Sequence, residues 1–271
     1  MKTIKIYFIL SLMVAATFSQ AQQAVQIPKQ LPANLQLKDE VQKYQITTDQ
    51  YNTDIFANFY SKVRVRGEYT RGLSDGKVKW NNVSVAMSMD KEADFAGGVP
   101  VAYMENFTYK PGEHMMTEEK FADFTEHSSY AKNLIWDMLA IEGFAWRHFD
   151  ELKLNTTFSA DYFNGKIDLA GQGFFENKDI RLTWIGISER NGERCALIEY
   201  RTLNNSLEVT AEGIDMKGRS HYWGTIWVSL EDKQIEHAVL YEDVIVEMLL
   251  PGQSQKQVIN ATREIEFKKL L

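Results

Sequence analysis

Two histidine groupings and a scatter of carboxylates are the residues here whose types and spacing come closest to chemistry. His148-Phe149-Asp150 could supply metal ligands, but it reads as an exposed helix end. His114 and His127 lie too far apart on loop-like sequence to define a metal site. No HExxH and no paired CxxC occurs, so neither a metal nor a cofactor is expected. Among the acids, Glu199, Glu242 and Asp243 are candidates for a glycosidase-type pair, yet nothing in their spacing matches two of them to one another. There is no GxSxG elbow, glycine-rich phosphate loop or kinase signature. The single cysteine, Cys195, reads as a small buried strand residue rather than a thiolate nucleophile. No catalytic residue is assigned.

Composition narrows the class further. The chain has 271 residues, 44% of them hydrophobic, which suits an ordinary globular core. A net charge of −7 with no basic run argues against a nucleic-acid surface. The densest basic stretch, Lys62-Val63-Arg64-Val65-Arg66, alternates as a solvated strand face does. Lys2 and Lys5 precede the apolar run Ile6 to Phe18, and Ser19-Gln20-Ala21 ends it with small residues, the pattern of a secretory signal peptide cleaved after Ala21. Export to a periplasm or the medium is therefore expected, with no transmembrane segment in the mature chain. One cysteine excludes an internal disulfide, and its position excludes lipid attachment at a mature N-terminus, so no lipoprotein is expected. Sequons at Asn82, Asn106, Asn155, Asn204 and Asn260 matter only in a host that glycosylates exported chains.

The elements that must position any site follow from periodicity. Residues 22–35, with Pro28 and Pro32, read as a flexible leader, and 36–271 as a single α+β domain. Residues 36–60 suggest a helix. Lys62–Thr70 and Val78–Met89 alternate as strands around the turn Ser74-Asp75-Gly76. Within 117–152, Ala131, Leu134, Ile135, Met138, Leu139, Ala145, Phe149 and Leu152 recur at helical spacing, and Glu118, Glu119, Asp123 and Glu126 suggest a solvated helix face. From 165 onward the chain reads as antiparallel strands. Turns are expected at Asn191-Gly192, Asp215-Met216-Lys217-Gly218, Glu231-Asp232-Lys233-Gln234 and Pro251-Gly252.

Those turns imply a register. A loop at 231–234 that pairs Leu230 with Ile235 sets Trp227 opposite Ala238, Thr225 opposite Leu240 and Trp223 opposite Glu242. A loop at 251–254 sets Glu242 opposite Arg263, Leu240 opposite Ile265 and Ala238 opposite Phe267. One face then carries Leu207, Val209, Trp223, Trp227, Leu240, Val244, Ile265 and Phe267. Ile226, Val228, Leu230, Ile235, Val239 and Tyr241 form a patch on the other. His221 and His237 fall on opposite faces. Trp223, Glu242 and Arg263 share one row, read either as a structural bridge or as a polar anchor in an apolar cavity. The candidate ligand-binding residues are Trp223, Trp227, Glu242, Arg263, Leu240 and Ile265.

The order of these elements resembles the lipoprotein-carrier-like half-barrels of bacterial envelopes, in which a curved antiparallel sheet wraps helices. The resemblance is one of architecture, without a residue motif, and it implies a carrier or binder of acyl chains or lipoproteins. The expected function is non-enzymatic binding of a hydrophobic small molecule or lipid in the concave face. The alternatives are an interaction module with an envelope protein partner and a secreted hydrolase.

Overall fold

The computed structural model describes residues 27–211, 214–249 and 254–270. The expected signal peptide, the start of the leader and the Pro251-Gly252 turn lie outside them. Among the described residues, thirteen strands form one antiparallel sheet that stays open and curves around a single α-helix. The chain runs β1 (Gln42–Asp54), β2 (Phe59–Arg71), β3 (Val78–Ser88), β4 (Val99–Pro100) and β5 (Phe107–Tyr109), then the helix α1 (Ser128–Trp146). It continues through β6 (Thr157–Ser159), β7 (Gly165–Asp168), β8 (Gly173–Asn177), β9 (Arg181–Arg190), β10 (Glu193–Ala211), β11 (Ile214–Ser229), β12 (Ile235–Leu249) and β13 (Gln257–Leu270). Across the sheet the order is β4-β3-β2-β1-β13-β12-β11-β10-β8-β7, with β9 on the first half of β10. The last strand therefore pairs with the first, Ile46 opposite Phe267.

That pairing explains why 36–60 is not the expected helix. Tyr44, Ile46 and Thr48 alternate inward along β1 and are buried, a strand periodicity that the scattered apolar residues disguised. The helical stripe is present, but α1 spans only Ser128–Trp146, flanked by 3-10 turns at Glu113–Met116, Glu118–Phe121 and Phe149–Glu151. Leu134, Ile135, Met138, Ile141 and Ala145 on α1 are buried against the sheet, and α1 packs on β11 and β12. Each buried leucine, isoleucine or methionine among them contributes about 1.5–3 kcal/mol. Within the expected leader, Leu31 joins the core and the Lys29 carbonyl accepts the Leu154 N–H at 3.1 Å. Lys62 is also buried, donating to the Lys91 carbonyl at 2.8 Å and to that of Ala93.

Asn191-Gly192 forms the expected two-residue hairpin, with φ of 53° and 81°, joining Arg190 to Glu193. The expected turn at 215–218 is instead strand: Asp215, Met216, Lys217 and Gly218 pair with Thr210, Val209, Glu208 and Leu207, and the reversal falls between Ala211 and Ile214. The 231–234 loop also closes differently. The Ser229 N–H donates to the Gln234 carbonyl, the Ser229 hydroxyl accepts the Glu231 N–H at 3.0 Å, and Lys233 takes a φ of 63°. Val228 thus pairs with Ile235, and an irregularity follows, so that Trp227 pairs with His237 and Trp223 with Tyr241. The net slip is one residue, and it turns every β11 side chain over. Tyr222, Ile226 and Val228 face the core, while Trp223 and Trp227 face outward. His221 and His237 share the outer face, about 20 Å apart along paired strands at ~3.3 Å per residue. The β12–β13 register is as expected, with Glu242 opposite Arg263, Leu240 opposite Ile265 and Ala238 opposite Phe267.

Gly224 marks the tightest point of the central hairpin. A Cβ there would lie 2.0 Å from the Val239 carbonyl oxygen and 2.4 Å from the Tyr200 hydroxyl, which itself donates to Val239 at 2.8 Å. Gly224→Ala should destabilise the fold by about 2–4 kcal/mol in a denaturant titration, an overpacking cost. Gly97→Ala, with open space around it, should leave the midpoint unchanged.

Candidate functional site

The inner face of the sheet is best followed as rows of side chains running across the strands. Under α1 lies an apolar row holding Tyr200, Gly224, Leu240, Ile265, Thr48 and Val65. The next row, toward the β1–β2 tip, is Thr202, Tyr222, Glu242, Arg263, Gln50 and Val63. Beyond it come Asn205, Ser220, Val244, Ala261, Asn52 and Ser61. Together these two rows form a polar belt across an otherwise apolar face.

Arg263 is the centre of the belt. Its guanidinium bridges Glu242 on the neighbouring strand and Asp137, which α1 lowers onto the sheet. The side chains of Arg263, Asp137 and Glu242 are only 9%, 11% and 12% exposed. The Ser220 hydroxyl donates to the other Glu242 oxygen at 2.6 Å. Asn52 and Ser61 continue the network, with the Gln50 amide donating to Asn52 at 2.8 Å and the Asn52 amide to Ser61 at 2.9 Å. On the other side the Tyr222 hydroxyl donates to Asn177 at 2.8 Å, and Thr202 donates to Asn205 at 2.8 Å. Burial pushes the Asp137 carboxyl up to about 6, against the pull of Arg263 and helped by the negative charge of Glu242. A second bridge ties α1 further along: Arg71 meets Glu142 at 3.1 Å, and the Tyr69 hydroxyl donates to the same oxygen at 3.0 Å. Burial raises Glu142 as well.

Past the belt the inner face becomes apolar again. Ile167, Phe175, Leu207, Gly218, Val246 and Ile259 make one row across six strands, and Val209, Met216 and Met248 continue beside it. Val246 is buried, but Leu207, Val209, Ile214, Met216, Met248 and Ile259 remain half-buried and lie outside the core cluster under α1. At ~4.8 Å per strand this shelf is about 24 Å wide.

Of the six residues nominated from sequence, Glu242 and Arg263 sit together in the belt, and Leu240 and Ile265 lie buried in the row beside it. Trp223 does not join them. It is 42% exposed on the outer face, stacked on Tyr241 at 6.0 Å, and Tyr222 takes its place next to Glu242. Trp227 is also outward, its ring edge-on to His237 at 5.0 Å. Glu199 and Asp243 face outward while Glu242 faces inward, so no acid pair forms among them. Cys195 is fully buried, and burial pushes its thiol up to about 12. Asp137 was missed, although its signal was present: a carboxylate set within the apolar stripe of Leu134, Met138 and Ile141.

No protein-family model matches this chain, and no curated protein matches it in sequence. Among solved structures, a lipovitellin described for its lipid–protein interactions aligns over 85% of this chain at 12% identity with a TM-score of 0.44. The chain spans 25% of that protein's length. A DUF1329 family protein from Desulfovibrio piger aligns over 85% of both chains at 8% identity, with a TM-score of 0.12. Both likenesses are too slight to assign a family.

Arg263→Met leaves two buried carboxylates without their counter-charge and should cost about 3–5 kcal/mol at neutral pH. The loss should shrink in acid, as Asp137 takes up a proton. Asp137 supplies a second, signed test. Its raised pKa means that the folded chain holds the proton more tightly than the unfolded one, so its contribution falls as pH rises from about 4 to about 6. Asp137→Asn does not titrate there. Unfolding free energies taken at pH 4 and pH 7 should shift in the variant's favour at the higher pH by on the order of 2 kcal/mol.

Proposed function

We propose that this chain is an exported, non-enzymatic binding protein that takes an apolar ligand of the lipid-acyl class on the inner face of its open sheet. The shelf of Leu207, Val209, Met216, Met248 and Ile259 is the observation that carries this reading: an apolar surface left half-exposed outside the buried core. Its width of about 24 Å exceeds the ~15 Å that one acyl chain spans in half a bilayer's hydrocarbon core. The belt that Glu242 and Arg263 anchor bounds the shelf as a polar rim, with Asn205, Ser220 and Asn52 nearest to it, where a ligand's head group would lie. Leu240 and Ile265 support the rim from beneath α1. Export is supported by the charged and apolar pattern of residues 2–21.

A second reading rests on the outer face, where Trp223, stacked on Tyr241, and Ile245 further along β12 are exposed. A protein of the cell envelope would dock there, and the inner shelf would be incidental.

Met216→Lys and Met248→Lys place charge on directly opposed shelf positions that are half-buried and outside the core. Each should weaken binding of a long-chain fluorescent fatty acid at least about tenfold, the scale of losing one buried apolar side chain, with little change in thermal unfolding. Trp223→Ser should leave that binding intact. Absence of fatty-acid binding by the unaltered protein, or its loss on Trp223→Ser alone, would overturn the reading.

A further inference from the structure

The turn between β1 and β2 exposes more apolar surface than a hairpin tip needs. Phe56 is 79% and Ile55 59% exposed. The turn is firmly built around them. Asp54 accepts the Phe56 N–H at 2.8 Å, the Asn58 N–H at 2.9 Å and the Asn58 side-chain amide at 2.7 Å. The Asp54 N–H donates to the Asn58 carbonyl at 3.0 Å, and Ala57 is held at a φ of 63°. The left-handed residue closes the loop as such hairpins require, so the backbone of the tip holds a defined conformation.

The surroundings of the tip have a consistent polarity. Behind it, Tyr51 and Tyr60 are each partly exposed, one on each strand. Tyrosine combines an apolar ring with a wet hydroxyl, the amphipathic character that suits the boundary between hydrocarbon and water. Met87 and Met89 are exposed where β3 ends beside β2, Ser88 opposite Lys62. The following loop carries Asp90, Glu92 and Asp94 against Lys91, and among the described residues no basic cluster flanks the tip. An anionic surface is therefore disfavoured.

We propose that the Ile55–Phe56 tip docks the protein onto a zwitterionic lipid bilayer, inserting the two side chains among the head groups with Tyr51 and Tyr60 at the interface. A protruding pair of apolar residues with a tyrosine girdle fits a soft, apolar-beneath-polar layer. The tip lies at the same end of the sheet as the apolar shelf, since Asp54 pairs with Ile259. The proposal stands on the tip alone and does not require the shelf to hold a ligand.

Co-sedimentation with phosphatidylcholine vesicles tests it. The full mature chain should partition onto the vesicles, and Ile55→Ser/Phe56→Ser should lower that partition at least about tenfold. Both residues are exposed, so the double variant should keep its thermal midpoint, and it should still bind monomeric fluorescent fatty acid if the shelf does. Adding phosphatidylglycerol should not strengthen binding. No partition by the unaltered chain, equal partition by the double variant, or binding that needs anionic lipid and is lost in salt would each overturn the proposal. So would loss by the double variant of a crosslinked envelope protein while vesicles are ignored.

Discussion

The structure depends on one buried charge arrangement, the guanidinium of Arg263 held between Glu242 on the adjacent strand and Asp137 on α1. Three charges on an apolar face are costly, and replacing such a group by aliphatic residues is often neutral or stabilising. What the bridge supplies here is position. Aliphatic packing alone would let α1 slide along the face of a long open sheet, because one apolar row resembles the next. Asp137 can meet Arg263 at one place only, and Glu142 meets Arg71 and Tyr69 further along. Two buried carboxylates on one helix therefore set where the cover ends and where the uncovered apolar shelf begins.

The polar belt that grows from Arg263 divides the inner face into two parts. On one side, Tyr200, Leu240, Ile265 and the α1 stripe form a filled core. On the other, the same strands continue with Leu207, Met216, Met248 and Ile259 only partly buried. Among the described residues these side chains stay half-exposed, aliphatic surface that a purely structural domain would gain by covering. The sheet's edges are managed more conservatively: β4 and β7, at the two ends of the main path, are short.

Much of the frame was legible in the sequence, and the failures have physical reasons. Asn191-Gly192 demands positive φ at both turn residues, so its hairpin could be placed without a structure. The β12–β13 register was recovered down to the Glu242–Arg263 pair. The central hairpin was not, because its 229–234 loop is closed by the Ser229 and Asp232 side chains and followed by an irregularity at Trp227. Neither has a strong signature, and a one-residue slip exchanged Trp223 for Tyr222 beside Glu242. β1 was mistaken for a helix because its buried residues, Tyr44, Ile46 and Thr48, are few and mixed in polarity. Its partner β13 is more than 200 residues away, a pairing that no local pattern announces. Asp137 was hidden for the opposite reason: a charge on an amphipathic stripe is normally discounted as a boundary residue.

The central claim is that acyl chains lie on the inner face past the Arg263 belt. Photo-crosslinking with a fatty acid carrying a diazirine along its chain, read by peptide mass spectrometry, tests this most directly. The account predicts adducts on the shelf strands, at Leu207, Val209, Met216, Met248 and Ile259. Adducts concentrated on Trp223, Tyr241 and Ile245 of the outer face, with the shelf unlabelled, would contradict it.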